Sequence, residues 1–455
     1  MASSKLSYTQ GTPTDNNTWT FSAWIKKSHF GSSEGIIFSA YDSASSMTNL
    51  RMNGSGDSCT LAYWDYQGSY TGRLVTSRSL RDANGWYHVV VVWDSDNATP
   101  GDRMKMYING VEETAFGTDT NPSSGQSTVM NTASQVLEIG AANSADYFDG
   151  LMSNIVFVDG TALAATEFGE VDSTSGIWKF KAPAGITYGN NGFWLKGENS
   201  GALGTDSSGE GNTLTVSGSP TQSIDTPSNV YAVMNSIATT NSIGNTLTFS
   251  NANLTATNTV GGAWQPMMSS LAANTGKWYA EFKVDTIGGA SKYGIIDVIQ
   301  YNNQVNWASA SRAYGYEYYA GDATNNSTTA SYGAAFTTGA IIGVAMDLDN
   351  MKLYMSKDGV WQDSGDPTSG STGTGTLPFF GGASNTARAA GLDTYAFAMN
   401  IHNSSVTNAN FGSGYFGSTA VSSAGTSSTD DDSVWEFDCP TGYYGINTKN
   451  INTYG

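Results

Sequence analysis

Residues 19–25 read WTFSAWI, and this stretch indicates the fold class of the chain. Apolar side chains occupy every second position of it, namely Trp19, Phe21, Ala23 and Ile25. That period is typical of a β-strand with one buried face. Strand-like runs such as WYHVVVVW (86–93) follow it, and no segment longer than about ten residues has helical periodicity. We therefore predict an all-β protein.

Chain length and turn signals predict more than one domain. The chain has 455 residues, whereas a single core stops growing at about 250–300 residues. Dipeptides such as Asn109-Gly110 and Asp358-Gly359 supply the positive φ angles that tight hairpins need. We predict two successive antiparallel β-sandwich domains, over 1–225 with a linker and over 226–415, followed by a low-complexity stretch and short tail over 416–455.

The composition argues against some classes of partner. The formal net charge is −19 and the pI is about 4.3, so the surface should repel nucleic acids and anionic membranes. The longest apolar run, residues 89–93, is too short to span a bilayer. The N-terminal sequence MASSKLSYTQ lacks the apolar region of a signal peptide, so we expect synthesis in a cytoplasm without an export signal.

Four motifs of the first half, in order within residues 17–165, resemble those of laminin-G-like domains, also called concanavalin-A-like. They are the opening strand WTFSAWIKKS, the strand GWYHVVVVWD, the hairpin MKMYINGVEE and the closing segment FDGLMSNIVFVDGTAL. The resemblance implies a jelly-roll sandwich of two antiparallel sheets.

The second half resembles a SPRY domain over about residues 270–412. The motifs are TGKWYAEFKV, YGYEY and GAIIGVAMDLDNMKLYMSKDGVW, of which the last is the most specific. SPRY domains are also bent β-sandwiches and mostly act as protein-interaction modules. The resemblance therefore implies a second sandwich that binds other proteins.

The joint between the halves and the C-terminal tail carry a further resemblance. The joint reads TDSSGEGNTLTVSG (205–218) and then IDTPSNVYAVMN (224–235), and the tail contains DCPTGYYGINTKNI (438–451). Both are similar to segments of marine bacteriophage proteins that join a laminin-G-like sandwich to a SPRY-like one. Because those proteins are mostly predicted head or tail fibre components, the resemblance implies a virion surface protein.

A carbohydrate-active enzyme of the glucanase type is the alternative function, because concanavalin-like folds also host glucanases. Such enzymes need paired carboxylates on one strand, spaced E-x-D-x-E or E-x-D-x-x-E. The near matches lack the third carboxylate; they are Glu170 with Asp172 and Glu436 with Asp438. No HxH or HxxxH spacing links the three histidines, His29, His88 and His402. We therefore predict no enzymatic activity.

Calcium is the metal that the sequence suggests, because laminin-G-like domains often bind one Ca²⁺ at a rim through Asp carboxylates and backbone carbonyls. The candidate ligands form two acidic loop clusters, Asp94 with Asp96 and Asp146 with Asp149. Asp94-x-Asp96 begins like a calcium loop, but no Gly stands at its sixth position. The alternative is that these aspartates simply build turns.

Glycan binding is the other common task of the laminin-G-like family. Residues 63–70 (YWDYQGSY) place aromatic side chains around a turn, and alternation puts Trp64 and Tyr66 on one face and Tyr63 on the other. In the second half, Trp307 lies in a polar loop and Trp361 begins a Gly/Ser/Thr-rich one. Trp64, Tyr66, Trp307 and Trp361 are thus candidate glycan-binding residues; the alternative for each is packing inside a sandwich.

The sequence as a whole favours a structural or adhesive component of a bacteriophage virion surface. It would be a head decoration, a capsid fibre or a tail fibre, binding host glycans or neighbouring virion proteins. Chain ends and Gly/Ser-rich stretches fray unless neighbours hold them. A symmetric assembly would supply such neighbours, so we also expect a homo-oligomer. A cyclic trimer and attachment to a capsid lattice are both compatible with this expectation.

Overall fold

The computed structural model describes residues 3–28, 35–53, 59–237, 247–301, 307, 312–325, 328–378, 380, 393–427 and 432–455. These residues form two compact units. The first unit comprises Met1–Gln222 with Thr226–Ser228, and the second comprises Ser223–Asp225 with Asn229–Gly455. Both units are built from antiparallel sheets, so the predicted all-β fold is confirmed.

The strands of the first unit are β1 (Lys5–Thr9), β2 (Thr18–Lys27), β3 (Gly35–Ser43), β4 (Ser46–Met52), β5 (Leu61–Gln67), β6 (Tyr70–Thr76), β7 (Tyr87–Asp94), β8 (Met104–Ile108), β9 (Val111–Glu112), β10 (Phe116–Thr120), β11 (Val136–Ile139), β12 (Gly150–Asp159), β13 (Gly169–Val171), β14 (Trp178–Phe180), β15 (Phe193–Leu195) and β16 (Thr215–Ser217). Short 3₁₀ turns span Pro100–Asp102 and Ala165–Glu167. Sheet A has the order β10-β6-β5-β4-β3-β11-β1-β16, and sheet B has the order β15-β12-β2-β7-β8-β9.

Sheets A and B pack face to face around the first core. The alternating residues of β2 point into it, and Trp19 and Phe21 are fully buried. The Phe21 ring stacks on Phe38 of sheet A with 4.1 Å between the ring centroids. The period of two in residues 19–25 therefore marks the face of β2 that meets the opposite sheet, as predicted.

The unbroken valine run of β7 has a separate cause. Val89 and Val91 face the core between the sheets, whereas Val90 and Val92 face the other side of sheet B. That side is covered by a second apolar cluster that includes Phe168. Because both faces of this strand are covered, its sequence is continuously apolar instead of alternating.

Up to residue 217, the Gly/Ser-rich joint is folded as part of the first unit, so this part of it is not an open linker. Asp206 accepts hydrogen bonds from the backbone N–H groups of Trp194, Ser208 and Asn212 at 2.8–2.9 Å. The following strand, β16, pairs with β1 and extends sheet A. The joint motif therefore encodes an Asp-centred loop and an edge strand.

The strands of the second unit are β17 (Leu247–Ser250), β18 (Thr255–Asn258), β19 (Trp264–Met268), β20 (Lys277–Thr286), β21 (Lys292–Asp297), β22 (Ala313–Glu317), β23 (Asp322–Asn325), β24 (Thr328–Ser331), β25 (Ile341–Asp347), β26 (Lys352–Lys357), β27 (Val360–Trp361), β28 (Tyr395–His402), β29 (Val406–Asn410), β30 (Tyr415–Phe416), β31 (Thr419–Ala420) and β32 (Tyr444–Gly445). The helices are α1 (Val298–Tyr301) and α2 (Thr448–Tyr454), and 3₁₀ turns span Gln362–Ser364 and Pro367–Thr372. Sheet C has the order β17-β18-β29-β20-β25-β26-β27, with β32 beside β20, and sheet D has the order β19-β28-β21-β22-β23-β24.

Sheets C and D enclose the second core, which is rich in aromatic rings. Phe282 of sheet C lies 5.5 Å from Tyr293 of sheet D, measured between ring centroids. The hydroxyl of Tyr293 is hydrogen-bonded to the hydroxyl of Thr407 at 2.7 Å, so this buried polar group is satisfied.

Within the described residues, no helix is long and apolar enough to cross a membrane.

The C-terminal tail covers the outer face of sheet C. Trp435 and Tyr443 are fully buried there against Tyr279 and other residues of the sheet. The tail also meets the beginning of the second unit, because the Ala232 N–H donates to the Ile446 carbonyl at 3.0 Å. The described part of 416–455, predicted as a stretch following the second sandwich, thus belongs to the second unit.

Candidate functional site

The candidate site lies on the outer face of sheet A, on the hairpin of β5 and β6. Tyr63 points into the core and is fully buried, while Trp64 and Tyr66 occupy the opposite face. This arrangement is the one that alternation predicts. Gly68 begins the two-residue turn with φ +73°, a backbone conformation that favours glycine.

A β-bulge adds a third aromatic ring to this face. Asp65 lies opposite Gly72, and Tyr66 lies opposite Tyr70, so Thr71 is the extra residue on β6. A bulge reverses the alternation beyond it, and Tyr70 therefore points outward beside Tyr66. Sequence reasoning missed Tyr70 as a site residue, because regular alternation from Arg73 places it on the inner face.

A buried carboxylate holds the hairpin in this shape from beneath. Asp65 is fully buried and accepts hydrogen bonds from the side chains of Thr48, Gln67 and Thr71, and from the backbone N–H of Val129. One of its donors is the bulge residue itself. Four donors saturate the carboxylate, and together they fix the bulge and the outward position of Tyr70.

The aromatic patch consists of Trp64, Tyr66, Tyr70, Arg51 and Arg73. The Tyr66 and Tyr70 rings meet edge to face with centroids 5.1 Å apart, and Tyr70 lies 5.5 Å from Trp64 in the same geometry. The Arg73 guanidinium lies 4.4 Å from the Tyr70 ring centroid, and that of Arg51 lies 5.4 Å from the Trp64 ring. These cation–π contacts orient the rings.

Exposure divides the patch into a floor and a rim. Trp64 is only 7% exposed, so its ring supports the neighbouring side chains and offers little surface. Tyr66 is half-buried and Tyr70 is 42% exposed. The surface available to a ligand is therefore provided by Tyr66 and Tyr70, and the predicted role of Trp64 as a stacking surface is corrected to one of support.

The two predicted site residues of the second unit do not form a comparable surface. Trp307 is 1% exposed and packs with Ile296 and Ala313 on the outer face of sheet D. Trp361 is half-buried, with its ring centroid 6.3 Å from that of Tyr279, at the edge of the cluster under the C-terminal tail. Trp307 is therefore a packing residue, as the alternative to glycan binding predicts, and Trp361 is a packing residue in part.

The four predicted calcium ligands do not come together. Asp94 lies opposite Thr18 at the beginning of β2, whereas Gly150, next to Asp149, lies opposite Lys27 at the end of β2. The length of β2 separates these positions by roughly 30 Å at about 3.3 Å per residue. Asp96 stays with Asp94, where its side chain accepts a hydrogen bond from Asn17 at 3.4 Å.

No group of three or more His, Cys, Asp or Glu side chains in the described ranges is arranged to hold a metal ion. Ca²⁺ takes six to eight oxygen ligands. Each end of β2 has only two of the candidate carboxylates, so carbonyl groups and water would have to supply most of the Ca²⁺ coordination shell. The turn-building alternative is visible at Asp94, whose carboxylate accepts a hydrogen bond from Asn97 at 3.2 Å.

We expect millimolar Ca²⁺ to leave the melting temperature of the first unit unchanged. A ligand that binds the folded state raises the melting temperature by mass action. Differential scanning calorimetry with 5 mM CaCl₂, and with 5 mM MgCl₂ as the matched divalent control, measures the effect. A rise seen with Ca²⁺ alone, and lost in Asp94→Asn, would show a calcium site at the β7 end.

Ser22 and His88 form a buried pair that resembles a nucleophile with its base. Ser22 Oγ lies 2.9 Å from His88 Nε2, and the Trp178 Nε1–H donates to His88 Nδ1 at 2.9 Å. Because an indole can only donate, Nδ1 must be the acceptor and Nε2 carries the proton. Nε2 therefore donates to Ser22 and cannot take its proton. Burial lowers the pKa of His88 to about 3.

The remaining predicted chemistry is also accounted for by local contacts. Glu170 and Asp172 both pair with Lys179, at 3.4 and 3.1 Å, across the β13–β14 hairpin. In the tail, Asp438 accepts a hydrogen bond from the Thr426 N–H at 2.7 Å. The Glu436 carboxylate accepts hydrogen bonds from Ser422 and Ser423. His29 lies outside the described residues.

Comparison with known proteins bears on the first unit. Residues 2–167 match the family model described as the concanavalin A-like lectin/glucanases superfamily. The match covers less than half of the chain and agrees with the concanavalin-A-like content predicted there. No curated protein matches the sequence.

Solved structures similar to parts of the chain include the SPRY domain of human HERC1, with 15% identity, a TM-score of 0.26, and coverage of 34% of this chain and 87% of that one. A native heptameric SAP-like pentraxin from Limulus polyphemus has 22% identity, a TM-score of 0.26, and coverage of 35% and 71%. A human SPRY domain has 11% identity, a TM-score of 0.26, and coverage of 36% and 94%.

Proposed function

We propose that this protein is a non-catalytic binding component of a bacteriophage virion surface. It serves as a head decoration, a capsid fibre or a tail fibre, and it binds host glycans or neighbouring virion proteins. The observation that carries the binding role is the aromatic patch, in which the half-buried Tyr66 and the exposed Tyr70 form an edge-to-face pair on a hydrogen-bonded hairpin.

The patch has the chemistry that recognition of a sugar needs. Ligand sites combine apolar or aromatic surface with a few placed polar groups. Here two tyrosine rings supply the aromatic surface, and Arg51 and Arg73 supply charge beside it. The match of residues 2–167 to the concanavalin A-like lectin/glucanases superfamily supports ligand binding by this fold in general.

The virion role rests on the joint and tail motifs. In the structure, these two motifs are neighbours, because Tyr231 of the joint forms a β-bridge with Asn447 of the tail. Their shared occurrence in phage proteins is therefore consistent with one structural requirement, the closure of the second unit. A homo-oligomer, with a trimer as one arrangement, fits an adhesive surface that works through repeated weak contacts.

Mass spectrometry of purified virions, followed by immunogold labelling, tests the virion role. We expect peptides from both units in the particle and gold on its outer surface, at the head or at the tail. If the infected culture expresses the protein but the purified virions lack it, the virion role is refuted. Labelling that appears only after particle disruption would refute the surface position.

Replacing Tyr70 with Ala is expected to weaken glycan binding at least about tenfold, because one exposed ring of an aromatic pair contributes roughly 1.4 kcal/mol. A glycan array identifies the ligand, and isothermal titration calorimetry then measures Kd for the wild type and Tyr70→Ala. Tyr319→Ala is the matched control, because Tyr319 is an exposed tyrosine of the second unit, at 76%, and is not one of the patch residues. Equal losses in both variants would contradict the site.

The absence of catalysis is part of the proposal. The Ser22–His88 pair has its proton on the nitrogen that faces the serine, and the acidic pairs are engaged with Lys179 or with tail donors. An assay on laminarin-type glucans tests this point. Release of reducing ends by the purified chain, in proportion to its concentration, would support the enzymatic alternative.

A further inference from the structure

We infer that the aromatic patch selects glycans that carry a carboxylate, such as uronic or sialic acids. This inference rests on the proposed glycan binding and names the chemical class of the ligand. It is carried by Arg73, together with unpartnered polar groups in the same cross-strand row.

Arg73 is a cation without a carboxylate partner in the described part of the chain. Its neighbours across the sheet are Trp64 and Thr120, which are both uncharged. The nearest outward-facing acid of the row is Glu138, on the fourth strand from β6, at roughly 19 Å for a strand spacing of about 4.8 Å. Glu138 is already paired with Lys5.

This lack of a partner is notable in a chain with 39 acidic and 20 basic residues. Most cations of such a protein have an acid within reach, and several here form ion pairs. The Arg73 guanidinium instead lies 4.4 Å from the Tyr70 ring centroid, and a guanidinium stacked on a ring can bind a bidentate acceptor through its edge. A carboxylate matches that edge better than any neutral sugar hydroxyl does.

The floor beneath the rings supplies the second observation. Asn49, Trp64 and Arg73 stand opposite one another on adjacent strands and point to the same face. Asn49 Oδ1, Trp64 Nε1 and Arg73 Nε are buried without a hydrogen-bond partner among the described residues. Asn49 is 3% exposed and Trp64 is 7% exposed, so these side chains have little contact with bulk solvent.

Unpaired buried donors and acceptors are costly, and most proteins avoid them. A row of two donors and one acceptor matches a ligand with a carboxylate and adjacent hydroxyls. The row lies beside the rings of Tyr66 and Tyr70, which both contact Trp64, and rotation of the exposed Tyr70 side chain would open it to a ligand. An acidic sugar can then satisfy the Arg73 guanidinium together with Asn49 and Trp64, whereas a neutral sugar satisfies only Asn49 and Trp64.

The test compares matched pairs of ligands by isothermal titration calorimetry. The pairs are trigalacturonate with its carboxyl-reduced counterpart, and 3′-sialyllactose with lactose. We expect one acidic member to bind at least tenfold more tightly than its neutral partner, and the pair that shows the difference identifies uronate or sialate chemistry. The preference should shrink as salt rises from 50 to 500 mM, because screening weakens an exposed ion pair.

Arg73→Gln assigns the preference to a residue. We expect this variant to lose affinity for the acidic ligand by about 10- to 100-fold, which is the usual weight of a charge-assisted hydrogen bond, and to retain its affinity for the neutral one. Lys196→Gln is the matched control, since it removes another cation that lies over a ring, Trp194, at 4.5 Å in the same unit.

The outcomes separate this inference from the function on which it depends. Equal affinity for acidic and neutral glycans, with loss of both in Tyr70→Ala, would overturn the inference and leave the proposed glycan binding intact. An acidic preference that persists in Arg73→Gln would overturn it too. Binding of no glycan in the two pairs or on an array would overturn both.

Discussion

Lowering the pH from 7.0 to 5.0 is expected to move the unfolding transitions of the two units in opposite directions. The first unit should lose about 2 kcal/mol of stability, and the second unit should gain about 2 kcal/mol. Each unit has its own core, so calorimetry should resolve two transitions. For units of this size, the expected shifts are about 4–8 °C in each direction.

His88 causes the loss in the first unit. Burial lowers its pKa from 6.5 to about 3, and the ring lies between Ser22 and Trp178 in hydrogen-bond contact with both. Between pH 3 and pH 6.5 the imidazole of His88 is protonated in the unfolded chain and neutral in the folded one, so the unfolded chain binds more protons. Stability from this group is therefore complete above pH 6.5 and is lost progressively as the pH falls below it.

Glu281 causes the gain in the second unit. Desolvation raises its pKa from 4.5 to about 7, even though the backbone N–H groups of Glu436 and Phe437 and the Asn410 amide donate to its carboxylate. Here the folded chain binds more protons between pH 4.5 and 7. The stabilisation that Glu281 contributes is therefore complete below pH 4.5 and is lost as the pH rises through 7.

Calorimetry at pH 7.0, 6.0 and 5.0 measures both effects, and pH 5.0 stays above the pI of about 4.3. His88→Phe retains the ring but cannot titrate, so it should flatten the response of the first unit alone. Glu281→Gln should flatten the response of the second unit alone. Asp366 and Asp438, whose pKa values are lowered by hydrogen bonds, titrate below this range. Parallel shifts of both transitions would contradict the assignment.

The sequence predicts the core of this protein well, because the core depends on local alternation. Residues 19–25 and the valine run of β7 identify strands whose buried faces are those observed. Alternation also places Trp64 and Tyr66 on the face opposite Tyr63. In these cases the side-chain direction follows from position along one strand, without knowledge of the partner strands.

The rest of the site depends on features that alternation does not contain. Tyr70 reaches the outer face through a bulge at Thr71, and the Thr71 hydroxyl stabilises this bulge by donating a hydrogen bond to Asp65 across the hairpin. Whether an aromatic ring is exposed depends on its tertiary contacts, as with Trp307, which packs against Ile296 and Ala313. Similarly, the distance between acidic loops at Asp94 and Asp149 depends on the pairing of β2, which brings each loop to a different end.

The C-terminal tail illustrates the same limit and leads to the largest single-residue effect. A Gly/Ser/Thr-rich stretch before a short motif suggests an appendage, yet the tail seals an otherwise exposed apolar face of sheet C. Trp435 is fully buried, with its ring centroid 4.8 Å from that of Tyr279 in an edge-to-face contact. The next two backbone N–H groups donate to Glu281 at 2.9 Å each.

Trp435→Ala should destabilise the second unit by about 3–5 kcal/mol, since it removes a buried indole and loosens the segment that satisfies Glu281. Urea unfolding followed by far-UV circular dichroism measures the loss as a lower midpoint of the second transition. Trp361→Ala is the matched control, because Trp361 is half-buried at the edge of the same cluster, and it should cost about 1 kcal/mol.

The first unit should be unaffected by either variant and serves as an internal reference. If the tail were a removable appendage, Trp435→Ala would leave the second transition at the wild-type midpoint and would cost less stability than Trp361→Ala. A covering segment instead links the tail to Glu281, so Trp435→Ala should also weaken the pH response of the second unit. Loss of stability together with loss of that response distinguishes a lost cover from a simple cavity, because a cavity leaves the burial of the Glu281 carboxylate unchanged.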